Sequence, residues 1–454
     1  MLVQLSKRLV AIGAALPLIA VAWGQASQTE SAKPEAAAQA AKPEEAKKNW
    51  KDRAEYDLYA NIAKEADPAK RLQLLDQWKQ KYPNTDFNME RLQFYMSTYQ
   101  QLNQGTKLLE TAKEVIKEDP KNITALYWIN LFTISLNNTA PDALQAGEDA
   151  AKALLANLDD AFSPAKKPAN VADADFQKQR AAVEAAAHNT LGWVAMTRKN
   201  NEEAEKHFTE SLKVDPNNGQ VSYWLGTVIL AQKVPEKQAQ ALYHFARASS
   251  YRGPNALPDQ ARTQLDTYLQ KVYAQYHGDQ SGLAEIKQQA ATQPFPPDDF
   301  KIKSAAEIAT EKEEEFRKTN PMLALWMSIK KELASDNGET YFENRMKNAH
   351  IPGGVLDVQK FRGKVISQMP ARRPSEIVVG IADATNAEVT LKLDQPMPNP
   401  APEGTEIAFD GVAQSFTREP SFNLTLAVEK NNIEGWPAPA APARKGGAKG
   451  AKKK

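Results

Sequence analysis

Residues 188–248 read HNTLGWVAMTRKNNEEAEKHFTESLKVDPNNGQVSYWLGTVILAQKVPEKQAQALYHFARA. Two copies of one helix-turn-helix pattern lie here end to end. Leu191, Gly192, Ala204, Phe208 and Pro216 mark the first. Leu225, Gly226, Ala241, Phe245 and Ala248 mark the second. In each copy a Leu-Gly pair is followed at fixed spacing by a small Ala and an aromatic. A Gly there fits a tight helix-helix contact that a large side chain would disrupt.

This spacing resembles the tetratricopeptide-repeat (TPR) family, whose unit recurs about every 34 residues. The resemblance implies an α-solenoid, and so a binding scaffold. A second match extends it. Asp119-Pro120-Lys121-Asn122 leads to Tyr127-Trp128, and Asp215-Pro216-Asn217-Asn218 leads to Tyr223-Trp224, 96 residues further on throughout. Upstream, Asp67-Pro68 and Tyr82-Pro83 bracket a helix, and further apolar stripes run to 116. These read as degenerate repeats that keep the closing Pro and lack Leu-Gly. A partner helix is expected over 141–158, a loop over 159–175, and a long helix over 176–198. Helices over 259–276 and 281–291 are expected to close the array, because a terminal repeat otherwise exposes its stacking face.

The fold class expected is multidomain α + β. An α-solenoid of TPR-like helix pairs over 50–292 is followed by a helical connector over 293–352, starting at the Pro-rich break QPFPPDDF. Beyond Gly353-Gly354 the apolar period changes from helical to alternating, and five short strands are expected over 353–436. They begin near Phe361, Glu376, Val389, Thr405 and Phe422. This small all-β domain resembles an OB-like barrel. The usual helix after its third strand is replaced by the Pro-rich stretch 395–403.

The ends read differently. Lys7 and Arg8 precede an apolar run over 9–22, and Gly24 and Ala26 stand where a signal peptidase cutting before Ser27 wants small side chains. Residues 1–26 are therefore an expected signal peptide, which implies a periplasmic or secreted protein. The alternative is an uncleaved N-terminal anchor. Residues 27–49 are too poor in large apolar side chains to offset ordering entropy, and read as a disordered linker. Residues 437–454 form a basic disordered tail. Its last eleven residues carry six Lys or Arg and no acid, against a net charge of +1 for the whole chain. The body therefore carries no net positive charge to attract nucleic acid. The tail offers only a weak contact with an anionic surface.

The chain has no Cys, which removes disulfides and thiolate chemistry. Its five His show no His-x-x-x-His pair with an intervening Glu. His207-Phe208 and His244-Phe245 hold equivalent repeat positions, so they read as scaffold rather than catalyst. No phosphate-binding Gly loop, dinucleotide fingerprint or nucleophile elbow is present. The expectation is a protein that is not an enzyme and takes no cofactor or metal.

In TPR proteins the first helix of each pair lines the ligand face. By position the resemblance nominates Thr124, Tyr127 and Leu131, then Asn189, Trp193 and Met196, then Tyr223, Thr227 and Leu230. Trp193 and Trp224 stand where a carboxylate clamp would need polar or basic groups. The expected ligand is an apolar segment of a protein or peptide partner held by aromatic anchors. The rival is a role with an envelope polymer or nucleic acid through the barrel and tail. The expected second and third strands carry no aromatic for base stacking, which argues against nucleic acid.

Overall fold

The computed structural model describes residues 48–353 and 359–439. The expected signal peptide, nearly all of the linker and the basic end of the tail lie outside the described residues. The chain divides into two units, one up to Ser304 and one from Ala305 on. Each is described by itself.

The first unit is a run of helices: α1 (Arg53–Lys64), α2 (Pro68–Lys81), α3 (Asn88–Gln101), α4 (Gly105–Glu118), α5 (Ile123–Ser135), α6 (Pro141–Ala161), α7 (Asp173–Thr197), α8 (Asn201–Val214), α9 (Gly219–Ala231), α10 (Gln238–Ser250), α11 (Asp259–His277) and α12 (Leu283–Thr292). Their starts are set by short polar side chains. Asp52, Asp67, Asn122, Asn200 and Asn218 each accept a hydrogen bond from an N–H in the first turn of the following helix. Neighbours in sequence pack on one another, and the core is a succession of local clusters. One holds Ile62, Leu75, Trp78 and Tyr95. The next gathers Leu92, Leu126, Leu154 and Phe176. A third gathers Phe208, Leu225, Tyr243 and Leu269. Short-range burial of this kind is what a helical repeat requires.

The 96-residue match extends to the backbone. The end of α3, both ends of α4 and both ends of α5 fall at 101, 105, 118, 123 and 135. The end of α7 and the ends of α8 and α9 fall at 197, 201, 214, 219 and 231, each 96 later. The left-handed residues that close these helices repeat as well. Asn103 (φ 53°) corresponds to Lys199 (φ 64°), and Asn137 (φ 47°) to Lys233 (φ 58°). The period exceeds two ordinary repeats because α6 and α7 are long, at 21 and 25 residues. The loop expected over 159–175 is shorter in the structure, since α6 runs to Ala161 and α7 starts at Asp173. Phe162 and Phe176, with ring centroids 5.1 Å apart, seal its base.

The Pro-rich break at 293 is not the boundary. Residues 293–302 lie back on the last helices. Tyr243 donates its hydroxyl to Gln293 O, Phe300 meets the Tyr243 ring edge-on at 5.0 Å, and Ile302 is buried. Prolines stopped the helix but left an extended strap with two aromatics free to pack, so the first unit continues to Ser304.

The second unit holds α13 (Ala305–Thr319), α14 (Pro321–Ala334), α15 (Gly338–Tyr341) and a π-turn over Phe342–Met346, then strands β1 (His350–Ile351), β2 (Phe361–Met369), β3 (Glu376–Gly380), β4 (Val389–Leu393), β5 (Glu406–Phe409), β6 (Gly411–Thr417) and β7 (Asn423–Val428). Its helices are not a connector. Trp326, Leu333, Phe342 and Met346 share one core with Phe361, Leu391 and Leu426. Glu388 is buried and accepts from the N–H groups of Ile381 and Ala382 and from the Lys330 ammonium, which ties α14 to the β3–β4 turn.

The expected five all-β strands become a curled, mixed, seven-stranded sheet, in the order β1-β6-β7-β4-β3-β2-β5. Neighbours run antiparallel except β4 and β7, which are parallel. The expected fourth strand breaks at Asp410. Its first part pairs with β2 and its second with β7. Gly411 lets the second part start close against β7: a Cβ there would stand 2.6 Å from Ala427 O. The two-residue β1, too short to signal itself in sequence, adds to β6.

Candidate binding face of the helical-repeat unit

The nine nominated positions do not form one face. On α5, Thr124, Tyr127 and Leu131 are three and four residues apart, share a side of the helix and are all part-buried. Burial raises the Tyr127 phenol above its ordinary pKa. This cluster is the part of the expected site that keeps accessible side chains together.

The other helices depart from expectation. Trp193 and Tyr223 are only 5% and 3% exposed and belong to the core, so they are withdrawn as ligand contacts. Tyr223 packs beside Phe245, with centroids 6.2 Å apart. Asn189 is committed internally, because its Oδ1 accepts the Ser211 hydroxyl at 2.6 Å. The Thr227 hydroxyl donates to Tyr223 O, one turn back on α9. Met196 and Leu230, near the ends of α7 and α9, remain part-buried. The reason is geometric. A helix inside an array touches both its own partner and the next pair, so apolar residues occur around most of its circumference. No periodicity then says which aromatic looks outward.

The signature residues all lie in packing positions. Leu191, Ala204, Phe208, Leu225, Ala241, Phe245 and Ala248 are buried. A Cβ on Gly192 would lie 2.6 Å from the Phe208 ring, and one on Gly226 3.0 Å from the Phe245 ring and from Ala241 O. Pro216 follows α8, and its carbonyl is used by a residue the sequence reading overlooked. Arg247 is 2% exposed and donates from Nη1 to Ala290 O at 2.9 Å and from Nη2 to Pro216 O at 2.6 Å. Its guanidinium stands 4.6 Å from the Tyr251 ring centroid. One planar fork thus joins the end of α12, the turn before α9, and α10.

Two equivalent His have different surroundings. His244 is buried beside Tyr243 and Phe295, and burial, then the Arg247 charge, pushes its pKa down to about 3. His207 is part-buried and meets His188 across the α7–α8 contact, Nδ1 to Nδ1, at 3.1 Å. Burial holds both rings below the ordinary imidazole value. Nineteen residues separate them, so only the packing of the two helices brings them together.

A cleft of ≈ 690 Å³ opens beside the start of α6, where Asp142, Gln145 and Asp149 face Arg198 of α7. Arg198 is held there by Glu148 and Gln145. On the β unit, Glu376 and Val378 of β3 pair with Lys392 and Thr390 of β4 and form the less buried side of those strands, which carries no aromatic.

No family model matches the chain, and no curated protein matches it. Among solved structures, a MamA protein described as "MamA RS-1 ArsTM double mutant" is similar over 48% of this chain and 94% of its own, at 13% identity and a TM-score of 0.30. TTC0263, a thermophilic TPR protein of Thermus thermophilus, is similar over 48% of this chain and 96% of its own, at 18% identity and a TM-score of 0.24. At such scores neither likeness carries an argument about this chain.

Proposed function

We propose that the chain is a non-enzymatic, TPR-like scaffold exported to the cell envelope, and that its helical-repeat unit binds an apolar segment of a protein or peptide partner. The observation that carries this reading is the cluster on α5. Thr124, Tyr127 and Leu131 keep part of their surface open on a helix whose Ala125, Leu126 and Ile129 are core, and Tyr127 packs part of its ring against that core. Part-exposed aromatic and aliphatic side chains on a rigid helix are the usual anchors for a docked peptide, since little side-chain entropy is lost on binding. The β unit is read as an OB-like barrel in which β5 and β6, parted at Asp410, stand in for one strand and reach β2 and β7 respectively. Its aromatic-free β3–β4 side supports a spacer or protein contact over nucleic-acid binding.

Site-specific photo-crosslinking in envelope preparations tests the proposal. A crosslinker at 127 or 131 should yield a discrete adduct that disappears on Thr124→Lys, while one at exposed Lys113 on α4 should not. The same adducts from both faces, or none from 127 and 131, would sink it.

A further inference from the structure

His188 on α7 and His207 on α8 face each other through Nδ1, with ring centroids 5.3 Å apart and ring planes at 36°. Glu203 stands one turn before His207 on α8, and its Oε1 lies 3.0 Å from His207 Nε2. A carboxylate on one ring nitrogen keeps the proton there and leaves the other nitrogen's lone pair free. This is the outer support that metal-ligating imidazoles ordinarily have. Glu210, two turns after Glu203, adds negative charge near both rings. Lys206 and Lys152 add opposing positive charge.

We propose that His188 and His207 form a two-histidine site for a divalent transition-metal ion of the zinc, nickel or copper class. Two nitrogens each about 2.0–2.1 Å from one ion stand about 2.9 Å apart at a right angle and about 3.3 Å apart at a tetrahedral angle. The observed 3.1 Å lies between these. The rings now point head-on, so each must turn about its Cβ–Cγ bond to place the ion beside the line joining them. That torsion is soft for His. Among the described residues no group of three His, Asp or Glu is arranged to hold a metal, so the site proposed has two protein ligands and leaves the ion's other positions open to water. The ion braces α7 against α8, and binding to the folded chain alone raises its stability.

The test is calorimetric titration of the tag-free chain with Zn²⁺ and with Ni²⁺, alongside thermal melts with and without the ion. One ion per chain and a higher Tm are expected. His188→Gln and His207→Gln should each weaken binding at least about 10-fold. Glu203→Gln, a change at a half-exposed carboxylate that leaves the fold intact by circular dichroism, should weaken it by about 10-fold as well. No saturable binding would overturn the site and leave the pair as two rings sharing a proton. Binding unchanged in the double His variant would also overturn it, by placing the ion elsewhere. If the His variants do not fold, unchanged affinity in Glu203→Gln is the overturning result.

Discussion

A side-chain carbon added to Gly192 would lie 2.6 Å from the ring of Phe208, which is itself fully buried. The positions 96 residues earlier are Met96 and Ala112, both buried, so there the large side chain stands on the first helix and the small one on the second. The two halves fill one kind of contact in opposite ways.

Gly192→Met should therefore destabilise strongly, by about 3 kcal/mol, because Phe208 has no space to retreat into. Adding Phe208→Ala should recover part of the loss, with a coupling of about 1 kcal/mol or more in a double-mutant cycle. Chemical denaturation of the four proteins measures it. Additive effects would show that the two positions do not share a volume.

Arg247 is tested by Arg247→Lys and Arg247→Met. Lys keeps the charge but cannot reach Ala290 O and Pro216 O together, and Met leaves both carbonyls without their donor. Losses of about 2 and about 4 kcal/mol respectively are expected in urea unfolding. A Lys variant as stable as the wild type would mean that the fork geometry contributes nothing.

Lys199 closes α7 with φ 64°, is exposed, and occupies a conformation that costs an L-residue about 1 kcal/mol. Lys199→Gly should raise stability by up to about 1 kcal/mol, offset in part by the greater freedom of Gly in the unfolded chain. The comparison variant is Lys206→Gly, in the interior of α8 where Gly has no such advantage, and it should destabilise. Equal thermal shifts for the two would refute the argument.

His244 should impose an acid limb on stability. Its folded pKa is pushed down to about 3 from an ordinary 6.5 by burial and by Arg247. The unfolded chain therefore binds a proton that the folded chain refuses. Stability from this group is complete above pH 6.5 and is lost as pH falls toward 3. By pH 4.5 the loss is about 2–3 kcal/mol, at about 1.4 kcal/mol per pH unit. His244→Gln should flatten the fall between pH 6.5 and 4.5, as read from melts across that range. An unchanged slope would show that His244 takes up its proton without unfolding.

Much of the helical unit was legible because its signals are local. Asn and Asp caps, closing prolines and the Leu-Gly, Ala and aromatic spacing each act within a turn or one helix pair, and the 96-residue match reports a repeated local solution. What the sequence could not supply is which side of a helix faces a second neighbour. Trp193 and Tyr223 read as a ligand face and are core, because an inner helix is covered from two directions. The strap over 293–302 read as a boundary, because Pro announces the end of a helix but not where Phe295 and Phe300 will pack. His188 with His207, Arg247 with Pro216 and Ala290, and the strand broken at Asp410 depend on contacts between distant residues. By itself the sequence determined the repeated helical hairpins and the change to alternating strands, because hydrophobic period and capping are properties of short segments. Only the tertiary structure decided which side chains stay open to a partner, because exposure is fixed by everything that packs around a residue.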